Sequence, residues 1–244
     1  MSLLPLLLAP FVGSFLGVLI ARLPHGRPVA LARSACDHCG TPLAARDLVP
    51  LLSYAALRGR CRTCAGPIAP FHWHVELAAT AVAASALAGG TDPTLLWLNC
   101  AFGWALLALA WIDWDRFLLP DILTLPLIPA GLLATSWLEP EMATDHALAA
   151  VLGYAALRGL ALLYRAIRRR EGLGEGDAKL LAALGAWVGL ANLPLVVLVA
   201  ALAGLAAAGL MALRGAELRA TTVLPFGPFL ALAGWLVRLA LLGS

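Results

Sequence analysis

Apolar segments of about 20 residues recur along this chain, the length that carries a helix across the hydrocarbon core of a bilayer. Eight are delimited, at 3–22, 72–90, 94–112, 119–138, 145–166, 177–190, 192–213 and 222–243, the sixth being the shortest. Composition supports a membrane chain. Hydrophobic residues make up 61% and charged residues 13%, and a soluble domain built this way would expose a large apolar area. The expected fold is an all-α integral membrane protein with eight transmembrane helices and a polar loop between the first two. The first segment lacks a basic stretch before it, and Arg22-Leu23-Pro24 is a poor cleavage site. It therefore reads as a membrane helix and not as a removed signal.

The arginines set the orientation. Arg22, Arg27, Arg33, Arg46, Arg58, Arg60 and Arg62 lie between segments one and two, and Arg116 between three and four. Arg165, Arg168, Arg169, Arg170 and Lys179 surround the fifth-to-sixth loop, and Arg214 and Arg219 the last. The alternate loops, near 89–93, 139–145 and 191–192, carry no Lys or Arg. The positive-inside rule then places the arginine-rich loops in the cytoplasm and both termini outside. The net charge of +3 follows from this bias, so no nucleic acid is expected as a partner; the surroundings are membrane lipids. Arg158 falls inside the fifth segment, facing protein or snorkelling.

The loop 23–70 carries Cys36-Asp37-His38-Cys39 and Cys61-Arg62-Thr63-Cys64. Two such knuckles about twenty residues apart match a four-thiolate zinc site, with Cys36, Cys39, Cys61 and Cys64 as ligands. Gly40 and Gly66 are expected to relax the backbone just beyond each knuckle. A cytoplasmic loop argues against two disulfides. Cys100, alone in the third segment, reads as a small core hydrophobe.

Carboxylates near membrane helices are costly and mark function or a specific contact. Asp113 stands in Trp111-Ile112-Asp113-Trp114, ahead of Leu119-Pro120-Asp121. Asp177 closes Gly174-Glu175-Gly176-Asp177 and opens an apolar helix, whose unpaired N–H groups favour a carboxylate. Pro120 suits a first helical turn, and Asp121 complements the dipole of that turn. Asp113 ends its helix, where the dipole opposes its charge. Glu76 lies just inside the second segment and reads as a functional or structural polar contact. His72 and His74 do not share a helix face, and Trp73 reads as an interfacial anchor. Gly13 and Gly17 permit close helix contact, and Ser14 beside them is assigned to packing. Leu224-Pro225-Phe226-Gly227-Pro228 should stay partly non-helical, as a candidate wall of the active site.

Peptide hydrolysis needs a base for water and an acid for the leaving nitrogen. Two close carboxylates sharing one proton supply both. Neither a Ser/His/Asp set nor an HExxH motif is evident. The expected proton holder at rest is Asp113, flanked by Trp111 and Trp114. Asp177, at a helix start near Lys179, is expected to be ionised. A proton- or cation-coupled transporter would place its carboxylates at mid-bilayer, and a non-enzymatic assembly factor would tolerate their replacement.

In order along the chain, these motifs resemble the type IV prepilin peptidases. They are the first helix from Gly13-Ser14-Phe15-Leu16 to Arg22-Leu23-Pro24, the paired knuckles, and Asp113 with Leu119-Pro120-Asp121. Gly174-Glu175-Gly176-Asp177 and Pro225-Phe226-Gly227-Pro228 complete them. The resemblance implies an aspartic peptidase of the GxGD type with Asp113 and Asp177 as its catalytic pair. Gly174, Gly176, Asp121, Glu76, Pro225 and Gly227 support the pair. The implied substrates are prepilins or pseudopilins, cleaved after a glycine at the cytoplasmic border of the bacterial inner membrane. The new N-terminus would then be methylated from S-adenosylmethionine. Three regions are implied: a transmembrane helix at 1–22, a zinc-knuckle methyltransferase loop at 23–71, and a seven-helix peptidase region at 72–244. Two positions depart from the family pattern, Glu175 where glycine is common and Pro70-Phe71-His72-Trp73 before the second segment.

Overall fold

A computed structural model describes residues 3–29, 34–90, 92–169, 172, 174–215 and 224–242. The expectations at Arg33, Arg170 and Arg219 lie outside the described residues. Nine α-helices form among those described: α1 Leu4–Arg22, α2 Leu52–Ala56, α3 Pro70–Ala88, α4 Pro93–Arg116, α5 Asp121–Leu138, α6 Ala143–Arg168, α7 Glu175–Val188, α8 Leu193–Leu213 and α9 Gly227–Leu242. Among the described residues no strand forms, and the isolated antiparallel bridges pair Ala35 with Pro42 and Arg60 with Pro67.

All helices except the short α2 fall on the eight apolar segments. Five stretches among the described residues are long and apolar enough to cross a bilayer: Leu4–His25, Pro93–Arg116, Asp121–Leu138, Pro140–Arg168 and Leu193–Leu213. Helix α7 has 14 residues, roughly 21 Å at 1.5 Å per residue, short of a hydrocarbon core of about 30 Å. Its composition has a different cause. Every residue from Leu180 to Val188 is buried, as expected of a helix that is apolar all round. Helix α4 also departs from expectation. It runs past Asp113 to Arg116 and stops where Phe117 turns left-handed at φ 55°.

The chain divides into two compact units, Met1–Ala108 and Leu109–Ser244. In the first, α1 crosses α3 at Gly13, where a Cβ would come within 2.6 Å of the Glu76 Cα. The expected close contact is therefore made, and only a glycine fits there. Trp104 Nε1 donates to the Ala79 carbonyl at 2.9 Å, and Cys100 is fully buried.

In the second unit α7 is the core, touching α5, α6, α8 and α9. Its far end is tied by polar contacts. Trp187 Nε1 donates to the Leu127 carbonyl at 2.9 Å, His146 Nδ1 stands 3.0 Å from the Ala186 carbonyl, and Asp145 accepts the Leu190 N–H at 2.8 Å. Among the described residues no buried side-chain N or O lacks a partner, as the cost of an unmet polar group requires. At its near end Arg158 of α6 reaches Glu175 at 3.6 Å.

Candidate active site and metal centre

Asp177 is the third residue of α7, after Gly174 at the N-cap. Its carboxylate turns back to hydrogen-bond the Gly174 backbone, the reciprocal contact that closes the start of a helix. The spacing of the glycine-rich motif thus has a local reason. Asp113 comes from α4 and has no such support from its own helix. Its Oδ2 instead accepts the N–H of Gly227 at 3.0 Å. Gly227 is the first residue of α9, so the start of a neighbouring helix offers its N–H and positive dipole end to Asp113. A Cβ at Gly227 would lie 2.6 Å from that oxygen.

Both carboxylates are buried, Asp113 at 6% and Asp177 at 8% exposure, and Asp177 feels the charge of Asp113. Leu119 joins the two sides. It stands 2.9 Å from where a Cβ of Gly176 would be and 3.2 Å from that of Gly227. Asp121 does more than complement its own helix, since Lys179 Nζ bridges its two oxygens at 2.9 and 3.0 Å. Lys179 also meets Glu175 at 3.1 Å, one turn earlier on α7. Pro225 is buried, and the backbone is non-helical over 224–226, up to the start of α9 at Gly227, so the segment is partly non-helical as expected. Trp114 does not shield Asp113 from its surroundings. It is 54% exposed, its ring 6.4 Å from that of Phe229.

The metal centre lies in the first unit. The four sulfurs of Cys36, Cys39, Cys61 and Cys64 all lie within 4.8 Å of one another. Those of Cys36 and Cys64 are 3.9 Å apart. A tetrahedral ion with metal–sulfur bonds of about 2.3 Å needs sulfurs about 3.8 Å apart, so the four fit one ion. The two knuckles repeat one backbone design. Cys36 N–H donates to the Thr41 carbonyl at 3.0 Å, and Cys61 N–H to that of Gly66 at 2.8 Å. The residue after each second cysteine is left-handed, Gly40 at φ 67° and Ala65 at φ 57°. Gly66 has a role other than the one expected. A Cβ there would lie 2.9 Å from the His38 ring and 3.2 Å from the Cys64 sulfur.

Hydrogen bonds already favour thiolate in part of this set. Thr41 holds the Cys39 thiol down to about 6, and the backbone N–H groups of Cys64 and Thr63 lower Cys61. Cys64 receives the Gly66 N–H, yet burial and the other thiols push it up to about 11. Four sulfurs this close do not all ionise unaided, and a dication relieves that competition.

Glu76 links loop and membrane helix. Its Oε2 accepts the Leu51 N–H at 2.7 Å, and it is also bonded by the Ser14 hydroxyl. Leu51 holds a left-handed φ of 60° at the start of α2, so the carboxylate stabilises a strained entry. Ser14, assigned to packing, is thus a donor. Trp73, expected in the lipid interface, lies against Tyr54 of the loop with ring centroids 5.4 Å apart. Ser14, Tyr54, Trp73 and Glu76 line a cavity of about 440 Å³, which no sequence signal marked because its walls come from three separate stretches.

Comparison with known proteins gives these geometries a context. Residues 7–88 match the bacterial peptidase A24 N-terminal domain, and residues 100–209 match the type IV leader peptidase family. The prepilin leader peptidase/N-methyltransferase of Burkholderia pseudomallei is 45% identical, the match covering 91% of this chain and 80% of that one. The proteins of the same name from Aeromonas hydrophila and Pseudomonas aeruginosa are 39% and 38% identical, covering 93% and 96% of this chain and 87% and 88% of theirs. No solved structure matches the chain significantly.

Proposed function

Because this chain belongs to the type IV leader peptidase family, we propose that it is a membrane aspartic endopeptidase that removes the leader of type IV prepilins or pseudopilins and N-methylates the new terminus. The observation that supports the peptidase half is the pairing of Asp113 with Asp177. Both are buried, each receives a backbone hydrogen bond, and Asp177 feels the charge of Asp113. In this reading one carboxylate takes a proton from the attacking water and the other gives one to the leaving nitrogen. Gly227 N–H and Gly174 fix the two side chains, and Leu119, between Gly176 and Gly227, limits water beside them.

The orientation is read from the alternation of the arginines and needs α3, α7 and α9 to count as crossings beside the five longer stretches; both termini are then periplasmic and the aspartates at the cytoplasmic border of the inner membrane. The region 1–22 is then a membrane helix, 23–71 the cytoplasmic metal-binding loop, and 72–244 the peptidase region. Four thiolates of this spacing suit Zn²⁺ in a structural role. S-adenosylmethionine, when bound, supplies an electrophilic methyl group. The free amine left by cleavage would attack it, so that an N–C bond forms as an S–C bond breaks. A transporter is disfavoured, since no gradient-driven cycle calls for the four-cysteine loop.

The test is incubation of the purified protein with a model prepilin and S-adenosylmethionine, read by mass spectrometry. Loss of the leader and gain of one methyl group are expected as separate mass changes. An intact prepilin after prolonged incubation with metal-loaded protein would refute the peptidase reading. A cleaved but unmethylated product would refute only the second half.

A further inference from the structure

The cavity in the first unit has a volume of about 440 Å³, within the range of pockets that enclose a cofactor-sized ligand. One wall is a stripe of α1, Ser14, Val18, Ala21 and Arg22, at spacings that share one helix face. Tyr54 and Trp73 face it from the loop and α3, and Glu76 lies beside Ser14. Arg22 follows Ser14 by about two turns, roughly 12 Å along the axis.

Glu76 is the unusual member. It is 7% exposed, and the donors bonded to it, the Leu51 N–H and the Ser14 hydroxyl, are both neutral. The His72 ring also acts on it electrostatically from the same lining, but no cation among the described residues is hydrogen-bonded to it, and a buried carboxylate held by neutral donors favours further positive charge in whatever fills the space before it. The aromatic pair adds a second site for positive charge and a flat surface for stacking. At the other end Arg22 brings positive charge and matches a carboxylate. A ligand for this cavity therefore carries a cation, a flat ring and, set apart from the cation, a carboxylate.

We propose that this cavity is the binding site of S-adenosylmethionine. Glu76 and the Trp73–Tyr54 rings take the sulfonium and adenosyl part, and Arg22 the carboxylate of its amino-acid part. The proposal rests on the methyltransferase half of the function above and assigns it to particular side chains. The metal ligands Cys36 and Cys61 also border the cavity, so the metal holds one wall in place.

The experiment measures equilibrium binding of S-adenosylmethionine and of S-adenosylhomocysteine, which lacks the charge, to the full chain in detergent by calorimetry. Ultraviolet cross-linking with mass spectrometric mapping locates the bound donor. In Glu76→Gln, which keeps an acceptor for Leu51, Kd for the sulfonium donor should rise roughly tenfold, as expected for loss of a charge-assisted contact. Binding of the neutral thioether should change much less. Val18→Trp fills the cavity from α1 and should abolish binding of both. Cross-links should map to Tyr54 or Trp73.

Unchanged binding in Val18→Trp overturns the proposal, whatever the fate of Glu76→Gln. So does a cross-link confined to α5–α9. An equal loss of both ligands in Glu76→Gln, with the metal retained, overturns the charge-specific role of Glu76. If the wild-type chain binds neither ligand, the methyltransferase reading falls and this site with it. If it binds the donor while these variants do not weaken binding, the site alone is wrong.

Discussion

Each pair of sulfurs in the metal loop is delivered by one tight turn, whereas the aspartate site draws Asp113, Asp177 and the Gly227 N–H from three different helices. The loop between its knuckles has little apolar core. Of its four cysteines only Cys61 is buried, and its order rests on local backbone bonds, to which an ion shared by the four sulfurs would add. The aspartates depend on α7, whose burial fixes where its first turn stands. Sequence-local sites are held by ligands; sites assembled from distant helices are held by packing and by glycines at the points of contact.

The largest expected effect is on the loop. Stripping the metal with a chelator removes a contribution of order 10–16 kcal/mol in comparable zinc modules. Limited proteolysis should then cut within 34–66 while α7 stays protected. Equal protection of the loop with and without metal would break the comparison from this side.

Gly227→Ala attacks the other region. Its Cβ would stand 2.6 Å from Asp113 Oδ2, and overpacking of this kind costs about 1–3 kcal/mol. Prepilin cleavage should fall by roughly ten- to hundredfold, the range set by misplacing a reacting group. The metal content should not change. A variant that loses metal together with activity would show that the two regions are not held independently.

Smaller still is the difference between the knuckles. Ala65 holds the left-handed conformation that Gly40 holds in its counterpart. Ala65→Gly should therefore stabilise the metal-bound loop by about 1 kcal/mol, the size of the left-handed penalty. Gly40→Ala should do the reverse. Thermal unfolding followed by thiol labelling checks both signs.

The smallest effect is electrostatic. Arg62 Nε lies 2.7 Å from Asp47 Oδ1, and this hydrogen bond holds the Asp47 carboxyl below its ordinary range. A depressed carboxylate contributes stability above its unfolded pKa and loses it as pH falls through the folded one. The wild-type loop should therefore weaken more than Asp47→Asn as pH drops below about 4, the ordinary aspartate value. Parallel acid profiles for the two proteins would remove this pair from the account.

Much of this was legible before the structure. The four-cysteine cluster was readable because a knuckle is a local object. The helices were readable because apolar length is additive along the chain, as with 192–213 against Leu193–Leu213. The end of α4 was not, because hydropathy stops at the first charge while the backbone continues until Phe117. The partner of Asp113 was not legible either. Its own helix end opposes its charge, and the compensating N–H belongs to α9, though Pro225-Phe226-Gly227-Pro228 marked the segment. The contact of Trp73 with Tyr54 was not legible, because an aromatic at a helix start looks the same whatever loop residue packs on it. Leu119 gave no signal of its own, since its place between two glycines exists only after packing.

The central claim is that Asp113 and Asp177 act as one unit. Cleavage rates of Asp113→Asn, Asp177→Asn and the double variant test it in a single assay with metal-loaded protein. Each single change should cost about 10²–10⁴-fold, the range for general acid–base groups, and the double variant should be no slower than the slower single one. A single variant that cleaves at the wild-type rate, or a double variant whose loss is the product of the two, would contradict the account.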